Sequence, residues 1–190
     1  MITRRLTDFS QVEMLYDLRM KKDFPPDELK PLDTIRRLWI KRAYECFGLF
    51  DGKGISGYAF YLRSDRNCLL DYFAIAEERR NEGLGSLFIR QLSGLVQEAD
   101  CIVAEVEDPE TALDGETKRL RERRLRFYLR NGFRKTALTS TVFGVDFRIL
   151  EVPADMPHTD EEISGIYTEL YRISLPGKLF RTEFEVRCQY

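Results

Sequence analysis

The chain has 190 residues, of which 43% are hydrophobic and 33% are charged, a composition typical of a globular protein with a single hydrophobic core. Its 30 lysines and arginines against 32 acids give a formal net charge of -2, which argues against binding of nucleic acid or an anionic membrane through a global positive field. The first residues lack an apolar run of signal-peptide length, and no later segment approaches the roughly 18 apolar residues of a membrane span, so we expect a cytoplasmic protein without membrane contact.

The first half of the chain predicts one strand, two helices and three further strands. Residues 1–6 predict a short strand, and residues 10–24 predict a helix with Ser10 as its N-cap. A proline-bearing break follows, and residues 33–44 resume the helical spacing. Residues 46–76 alternate apolar and aromatic runs with the turn compositions DGKG and SDRN, which favours antiparallel strands joined by hairpins.

The second half alternates helices and strands. Apolar residues recur at spacings of three and four from Leu84 to Val96, which predicts an amphipathic helix. Residues 101–107 predict a strand, residues 115–130 a long charged helix ending at Asn131-Gly132, and residues 141–152 one or two strands. The order is therefore βααβββαβαββ, and from Pro153 onward we expect a loop, a short helix and a last strand.

Cysteine and histidine usage predicts neither a metal site nor a disulfide framework. The four cysteines are scattered, with no CxxC and no neighbouring histidine, so we expect small buried thiols. The only histidine, His158, lies in a polar stretch with prolines, which predicts a solvent-exposed loop residue rather than a catalytic base.

The segment ERRNEGLGSLF, residues 78–88, places glycines directly before a predicted helix. A helix N-terminus presents backbone N–H groups and a partial positive charge, and Gly83 and Gly85 would let an anion approach them closely. Arg79 and Arg80 add charge beside this turn, which suits a pyrophosphate. On these residues alone, glycines that only form a tight turn remain an equal alternative. The spacing matches neither a P-loop nor the dinucleotide-binding glycine pattern.

Two motifs resemble the GNAT superfamily of N-acetyltransferases. Arg80-Asn81-Glu82-Gly83-Leu84-Gly85 is similar to its [RQ]-x-x-G-x-[GA] turn, and FYLRNGFRK, Phe127 to Lys135, is similar to its second signature. The resemblance covers roughly residues 1 to 151. It implies the acyl-CoA N-acyltransferase fold of this family, an α/β fold that has a mostly antiparallel twisted sheet with helices on both faces. We expect one domain over residues 1–190, with 153–190 as a C-terminal extension packed on it.

The resemblance also implies acetyl-CoA as co-substrate, without a metal. Backbone amides of the turn would hold the CoA pyrophosphate, and strand residues 73–75 would pair with the pantetheine arm, with the Phe73 amide as oxyanion donor. Arg121 and Arg124 stand where family members often carry Asn and Ala, and would reach a CoA phosphate or form only a solvated charged face. The expected cofactor-binding residues are Phe73, Ala74, Ile75, Arg80, Asn81, Glu82, Gly83, Leu84, Gly85, Ser86, Arg121 and Arg124.

Three side chains are candidates for catalysis. Tyr128, four residues before the glycine of Gly-Phe, matches the family's general acid, and the alternative is a core tyrosine on the face of Leu125. Asp71 and Glu105 are candidates for the general base or for substrate binding, because carboxylates in apolar strands are costly when buried without a partner. Asp71 could instead bind an arginine such as Arg63. Glu107 is expected at the exposed end of its strand.

These residues predict an N-acetyltransferase in which a primary amine attacks acetyl-CoA directly in a ternary complex. Acids near the acceptor side, including those of residues 23–31, favour a small cationic amine. The alternative is a non-catalytic acyl-CoA-binding or regulatory module. Nucleic-acid binding through the charged helix is disfavoured, because acids are interspersed along it. The tail is expected to pack beside the acceptor cleft or to mediate a homodimer.

Overall fold

The computed structural model describes residues 1–52, 54–96, 98–153 and 155–188. The chain divides into two compact units, Met1–Arg63 with Leu70–Gln97, and Ser64–Leu69 with Glu98–Tyr190. Both combine helices with antiparallel strands, so the predicted mixed α/β class is confirmed. None of the helices in the described ranges is long and apolar enough to cross a membrane.

The first unit has its strands in the order β1-β2-β3-β4, with β1–β2 and β2–β3 antiparallel. A π-helical segment, Tyr16–Met20, links the first two of its helices. Helix α1 contacts α3, α3 contacts β2, and α4 contacts β1. The elements, in chain order, are β1 (Ile2–Arg5), α1 (Phe9–Leu15), α2 (Lys21–Asp23), α3 (Leu32–Ile40), β2 (Tyr44–Asp51), β3 (Gly54–Ser64), β4 (Asn67–Ile75) and α4 (Leu84–Leu95).

Two predicted helix ends in the first unit are wrong. The N-cap of α1 is Asp8 rather than Ser10, because the extended Asp8 accepts a hydrogen bond from the Ser10 amide at 2.9 Å and its charge complements the helix dipole. Helix α3 ends at Ile40, four residues early, because Arg42 adopts a left-handed φ of 57° and the chain enters β2 at Tyr44.

The second unit has the strand order β5-β7-β6-β8, and every adjacent pair in it is antiparallel. The helix α5 is N-capped by Asp114, and Thr159 and Glu162 form a capping box on α6. Its elements are β5 (Cys101–Glu107), α5 (Gly115–Arg130), β6 (Arg134–Val142), β7 (Val145–Pro153), α6 (Asp160–Ser174), α7 (Gly177–Glu183) and β8 (Phe184–Cys188). The predicted tail helix and last strand correspond to α6 and β8, and the sequence did not predict α7.

Cysteine burial agrees with the prediction at three positions and differs at one. Cys46, Cys68 and Cys101 are buried, whereas Cys188 is exposed at the end of β8. Burial raises the pKa of the Cys101 thiol to about 12, which keeps it protonated at neutral pH. The buried thiols therefore act as small apolar side chains.

Gly57 on β3 provides the space in which the end of β4 packs. A Cβ at this position would lie 2.7 Å from Ile75 Cδ1 and 3.0 Å from the Ala74 carbonyl oxygen. The Ala76 amide also donates to the Ser56 carbonyl oxygen at 2.9 Å. The close approach of β3 therefore fixes the position of the strand that enters the glycine turn.

We expect Gly57→Ala to destabilise the protein by about 1–3 kcal/mol, because a methyl group would force β4 to shift. Gly94→Ala is the matched control, since its Cβ would meet no atom within 4 Å and alanine favours the helix by about 1 kcal/mol. The free energy of unfolding from urea titrations measures both changes. Equal stabilities of the two variants would contradict the packing argument.

Candidate active site

The turn between β4 and α4 has the backbone geometry of an open anion site. After a 3-10 turn at Glu77–Arg79, Asn81 and Gly83 adopt left-handed φ values of 68° and 77°. Gly83 is the N-cap of α4 and has no side chain with which to cap the first helical amides. A Cβ on Gly83 would meet no atom within 4 Å, so the space beside the turn is open.

These features fit the diphosphate of coenzyme A. Amides at the start of a helix have no acceptors one turn earlier, and the helix dipole favours an anion in front of them. Leu84 is buried at the first turn and anchors the start of the helix. The individual contacts of Arg80, Asn81, Glu82, Gly83, Leu84, Gly85 and Ser86 with the cofactor stay predictions.

The arginines beside the turn are already paired with carboxylates. An Arg79 Nη lies 2.5 Å from Asp51, and its Nε lies 2.9 Å from Glu82. Arg80 donates to Asp23 at 3.1 Å and to the Ile75 carbonyl oxygen at 3.2 Å. The positive charge predicted from the sequence is therefore balanced locally by carboxylates.

An open cleft of about 760 Å³ lies beside the 3-10 turn. Its walls include the ion pair of Arg79 with Asp51 and that of Arg19 with Glu78, whose charged groups lie 3.0 Å apart. Among the described lining residues, these two arginines and two carboxylates therefore offset one another's charge.

Asp71 on β4 is held by two donors that the sequence did not reveal. Its side chain is only 4% exposed, and Lys30 Nζ donates to its Oδ1 at 2.7 Å. The Tyr44 hydroxyl donates to the other carboxylate oxygen, and burial together with the Asp71 charge raises the pKa of this phenol well above its ordinary value. Arg63, considered as the partner of Asp71, instead lies 3.4 Å from Glu45.

The segment between α2 and α3 is attached to an aromatic cluster around Asp71. The Tyr58 hydroxyl donates to Asp23 at 2.8 Å, and burial, reinforced by this hydrogen bond, raises the pKa of Tyr58. The Phe24 ring lies 4.8 Å from the Tyr72 ring, edge to face. Residues 23–31, predicted to form an acceptor wall, thus contact side chains of β3 and β4. Asp71, Phe73, Ala74 and Ile75 lie on the strand that leads directly into the glycine turn.

Tyr128 lies on α5 in the second unit and is half-buried. Its ring packs 5.1 Å from that of Phe133, edge to face. Burial raises the pKa of Tyr128 to about 12, although Arg124 acts in the opposite direction. The phenol therefore keeps its proton at neutral pH, as both a general acid and a core tyrosine would, and its catalytic role stays a prediction.

The arginines that precede Tyr128 hold a carboxylate of β5. Arg121 lies 3.0 Å from Glu107, and Arg124 pairs with the other oxygen of the same side chain. Arg121 also donates to the Asp108 carbonyl oxygen at 2.9 Å. Glu107 is the last residue of β5, as expected, but its expected exposure is wrong: its side chain is only 15% exposed, because the two α5 arginines partly enclose it. The contacts of Arg121 and Arg124 with coenzyme A stay predictions.

Glu105 on β5 accepts hydrogen bonds from the C-terminal helix. Its Oε1 accepts from the Tyr171 hydroxyl at 2.6 Å and from the Tyr167 hydroxyl, which also lies 2.8 Å from Ser140 Oγ. Burial, followed by the Glu105 charge, raises the pKa of Tyr167 well above its ordinary value. In the sequence, residues 163–171 carry apolar side chains at helical spacing, which indicates a helix that packs against another element. This spacing does not identify Glu105 as the residue that the helix contacts.

The described residues contain one cluster with potential metal ligands, Cys101, Glu151 and His158, whose ligand atoms lie within 4.8 Å of one another. His158 Nδ1 is 2.5 Å from the buried Glu151 carboxylate, so the expected exposure of this histidine is wrong. Arg134 also pairs with Glu151 and compensates its charge. The arrangement fits a buried ionic cluster that fixes the loop before α6.

Comparisons with known proteins agree with this geometry. The model of the Acetyltransferase (GNAT) family matches residues 12–133, more than half of the chain. A comparison with curated protein sequences gives no match.

Solved structures with the same fold cover most of the chain. A GNAT-family protein from Bacteroides thetaiotaomicron is 21% identical, with a TM-score of 0.71, over 91% of this chain and 97% of that chain. A Bacillus subtilis acetyltransferase in complex with CoA is 17% identical, with a TM-score of 0.58, over 80% and 97%. A chimeric spermidine N-acetyltransferase from Vibrio cholerae SpeG and hSSAT is 15% identical, with a TM-score of 0.59, over 81% and 96%. At these identities the similarity shows the fold alone.

We expect Gly83→Ala to weaken the binding of coenzyme A, because the Cβ would enter the open space in front of the helix amides. Gly144→Ala, in the turn between β6 and β7, is the matched control: its φ is 80°, and its Cβ would also meet no atom within 4 Å. Both variants carry a similar backbone strain of about 1 kcal/mol. Calorimetric titration with coenzyme A separates them, and equal affinities would contradict the assignment of the turn.

Proposed function

This chain belongs to the GNAT family of acetyltransferases, and on that premise we propose that it transfers the acetyl group of acetyl-CoA to a primary amine of a small cationic acceptor. Family membership makes it an acetyl-CoA-dependent N-acetyltransferase. The observation that carries the proposal is the uncapped start of α4 at Gly83, which directly follows the strand bearing the buried Asp71. The amine attacks the thioester directly in a ternary complex.

The cofactor side of the proposal uses main-chain donors of the first unit. Acetyl-CoA supplies an acetyl group activated as a thioester. The first-turn amides of α4 bind its diphosphate, and the backbone of Phe73, Ala74 and Ile75 pairs with the pantetheine arm as an added strand does. The Phe73 amide donates to the acetyl carbonyl oxygen, where negative charge develops during attack.

Proton transfers are assigned to the three side chains that the sequence analysis names as catalytic candidates. An ammonium must lose a proton before it attacks, and Asp71 and Glu105 are the carboxylates proposed to bind the acceptor or receive that proton. Tyr128 donates a proton to the departing sulfur. This assignment rests on the match of Tyr128 to the second signature, because the raised pKa of about 12 leaves the phenol protonated at neutral pH in a core tyrosine as well.

The chain's own carboxylates support a cationic acceptor. Asp23 and Asp71 both lie against the aromatic cluster of the first unit, and carboxylates beside aromatic rings favour ammonium ions. The spermidine acetyltransferase among the structural neighbours acts on a polyamine, which is an acceptor of this chemical class.

We also propose that residues 1–190 function as one domain. The extension from residue 153 carries Tyr167 and Tyr171, which hold a carboxylate of β5 within the second unit. Size-exclusion chromatography with light scattering tests the further expectation of a homodimer.

We expect Tyr128→Phe to lower kcat by at least about 100-fold, because the departing sulfur loses its proton donor. The KM for acetyl-CoA should change little. Tyr16→Phe, at a buried tyrosine outside the proposed site, is the control and should leave both constants unchanged. An unchanged kcat of Tyr128→Phe would remove the general-acid assignment.

A panel of amines tests the proposed acceptor class. We expect acetyl transfer to polyamines, aminoglycosides and lysine-like amines, and little transfer to glutamate, whose acidic groups the site carboxylates repel. Release of the coenzyme A thiol measures the reaction. Retained binding of acetyl-CoA without transfer to any amine would instead support a non-catalytic acyl-CoA-binding module.

A further inference from the structure

The protein holds one of its own primary ammonium groups on Asp71. Lys30, from the segment between α2 and α3, places Nζ 2.7 Å from Asp71 Oδ1 and 5.5 Å from the centroid of the Tyr72 ring. Only 14% of the Lys30 side chain is exposed. A carboxylate combined with an aromatic face is a recognition site for an ammonium ion, and here Lys30 fills it.

The position of Asp71 relates this ammonium group to the proposed chemistry. Asp71 and Phe73 are two residues apart on β4, so their side chains lie on one face and their backbones are about 7 Å apart. The Phe73 amide is the proposed donor to the acetyl carbonyl oxygen. An ammonium held on Asp71 therefore lies on the strand face that also carries the Phe73 side chain, about 7 Å along β4 from the position at which the acetyl group would be held.

The backbone of the segment that carries Lys30 is attached to β4 through the Tyr72 hydroxyl. The Lys30 amide donates to the Tyr72 hydroxyl at 2.8 Å, and this hydroxyl donates to the Glu28 carbonyl oxygen at 2.9 Å. Within the segment, the amides of Glu28 and Leu29 donate to the Pro25 carbonyl oxygen. Because Lys30 reaches Asp71 on a flexible four-carbon chain, its ammonium can leave without unfolding a helix or a strand.

We propose that Asp71 and Tyr72 form the subsite that binds the ammonium group of the acceptor, and that Lys30 occupies this subsite in the amine-free protein. This inference rests on the proposed function. An acceptor binds by displacing Lys30 from the carboxylate. The ligand class is a primary alkylammonium ion, the same chemical group that Lys30 presents. Lys30 thereby raises the apparent KM for amines, because only molecules in which it has left Asp71 can bind the acceptor.

Chemical rescue of Lys30→Ala tests the subsite without requiring turnover. Removal of the ammonium leaves the Asp71 carboxylate uncompensated, so we expect a lower Tm. Butylamine, which has the four-carbon stem and charge of the lost side chain, should raise the Tm of the variant more than that of the wild type. Butanol is the neutral control and should not. Equal Tm shifts of variant and wild type with butylamine would overturn the proposal.

Steady-state kinetics on the same variant test displacement. We expect the KM for a primary amine acceptor to fall about tenfold. This value corresponds to a Lys30 ammonium that occupies the subsite in about nine-tenths of the wild-type molecules, because only the remaining tenth can bind an amine. Lys22→Met removes an exposed ammonium from α2 and should leave the KM unchanged. If Lys30→Ala does not fold, Lys30→Met removes the charge while keeping an apolar chain, and the same KM test applies. An unchanged or higher KM in the folded Lys30 variant would overturn displacement.

The two measurements separate this inference from the proposed function. Rescue by butylamine in a protein that acetylates no amine would refute the proposed function and retain the ammonium subsite. Normal acetyl transfer by the wild type, with neither rescue nor a lower KM in the Lys30 variant, would refute the inference and retain the function.

Discussion

The structure depends on a helix that begins without a side-chain cap. Gly83 ends the turn in a left-handed conformation, so the first amides of α4 face an open space rather than a serine or aspartate oxygen. This arrangement requires that β4 be held firmly before the turn, and Gly57 permits that by letting β3 approach the backbone of Ala74 closely. Local conformation and strand packing thus cooperate to keep polar backbone groups available for a ligand.

Carboxylates that are buried or partly buried provide the second organising constraint, because each needs partners to offset its desolvation. Asp71 receives an ammonium and a phenol, Glu151 receives a guanidinium and an imidazole, and Glu105 receives two phenols. Two of the partners, Tyr44 and Arg134, are the first residues of other strands, and the remaining partners come from loops and from α6. Each carboxylate therefore attaches a loop or a helix to a strand through polar contacts.

The turn and the order of most elements could be predicted from the sequence because their signals are local. Glycines before a run of leucines at helical spacing specify a strand-to-helix turn within about ten residues, and hairpin compositions separate the strands. The partners of Asp71 and Glu105 could not be predicted in this way. Lys30 is 41 residues from Asp71, and Tyr167 is 62 residues from Glu105, so these pairs exist only once the chain has folded. The same applies to Glu107, which appears exposed in the sequence and is enclosed by two arginines of α5.

The hydroxyl groups that reach Glu105 belong to α6, which begins at Asp160, beyond the residues 12–133 matched by the family model. The strand carboxylate therefore lies inside the matched residues, whereas its donors lie outside them. Exchange of a C-terminal helix can change the polarity around such a carboxylate while the cofactor-binding segment stays intact. The environment of Glu105 thus depends on a helix that lies outside the motifs by which the family is recognised.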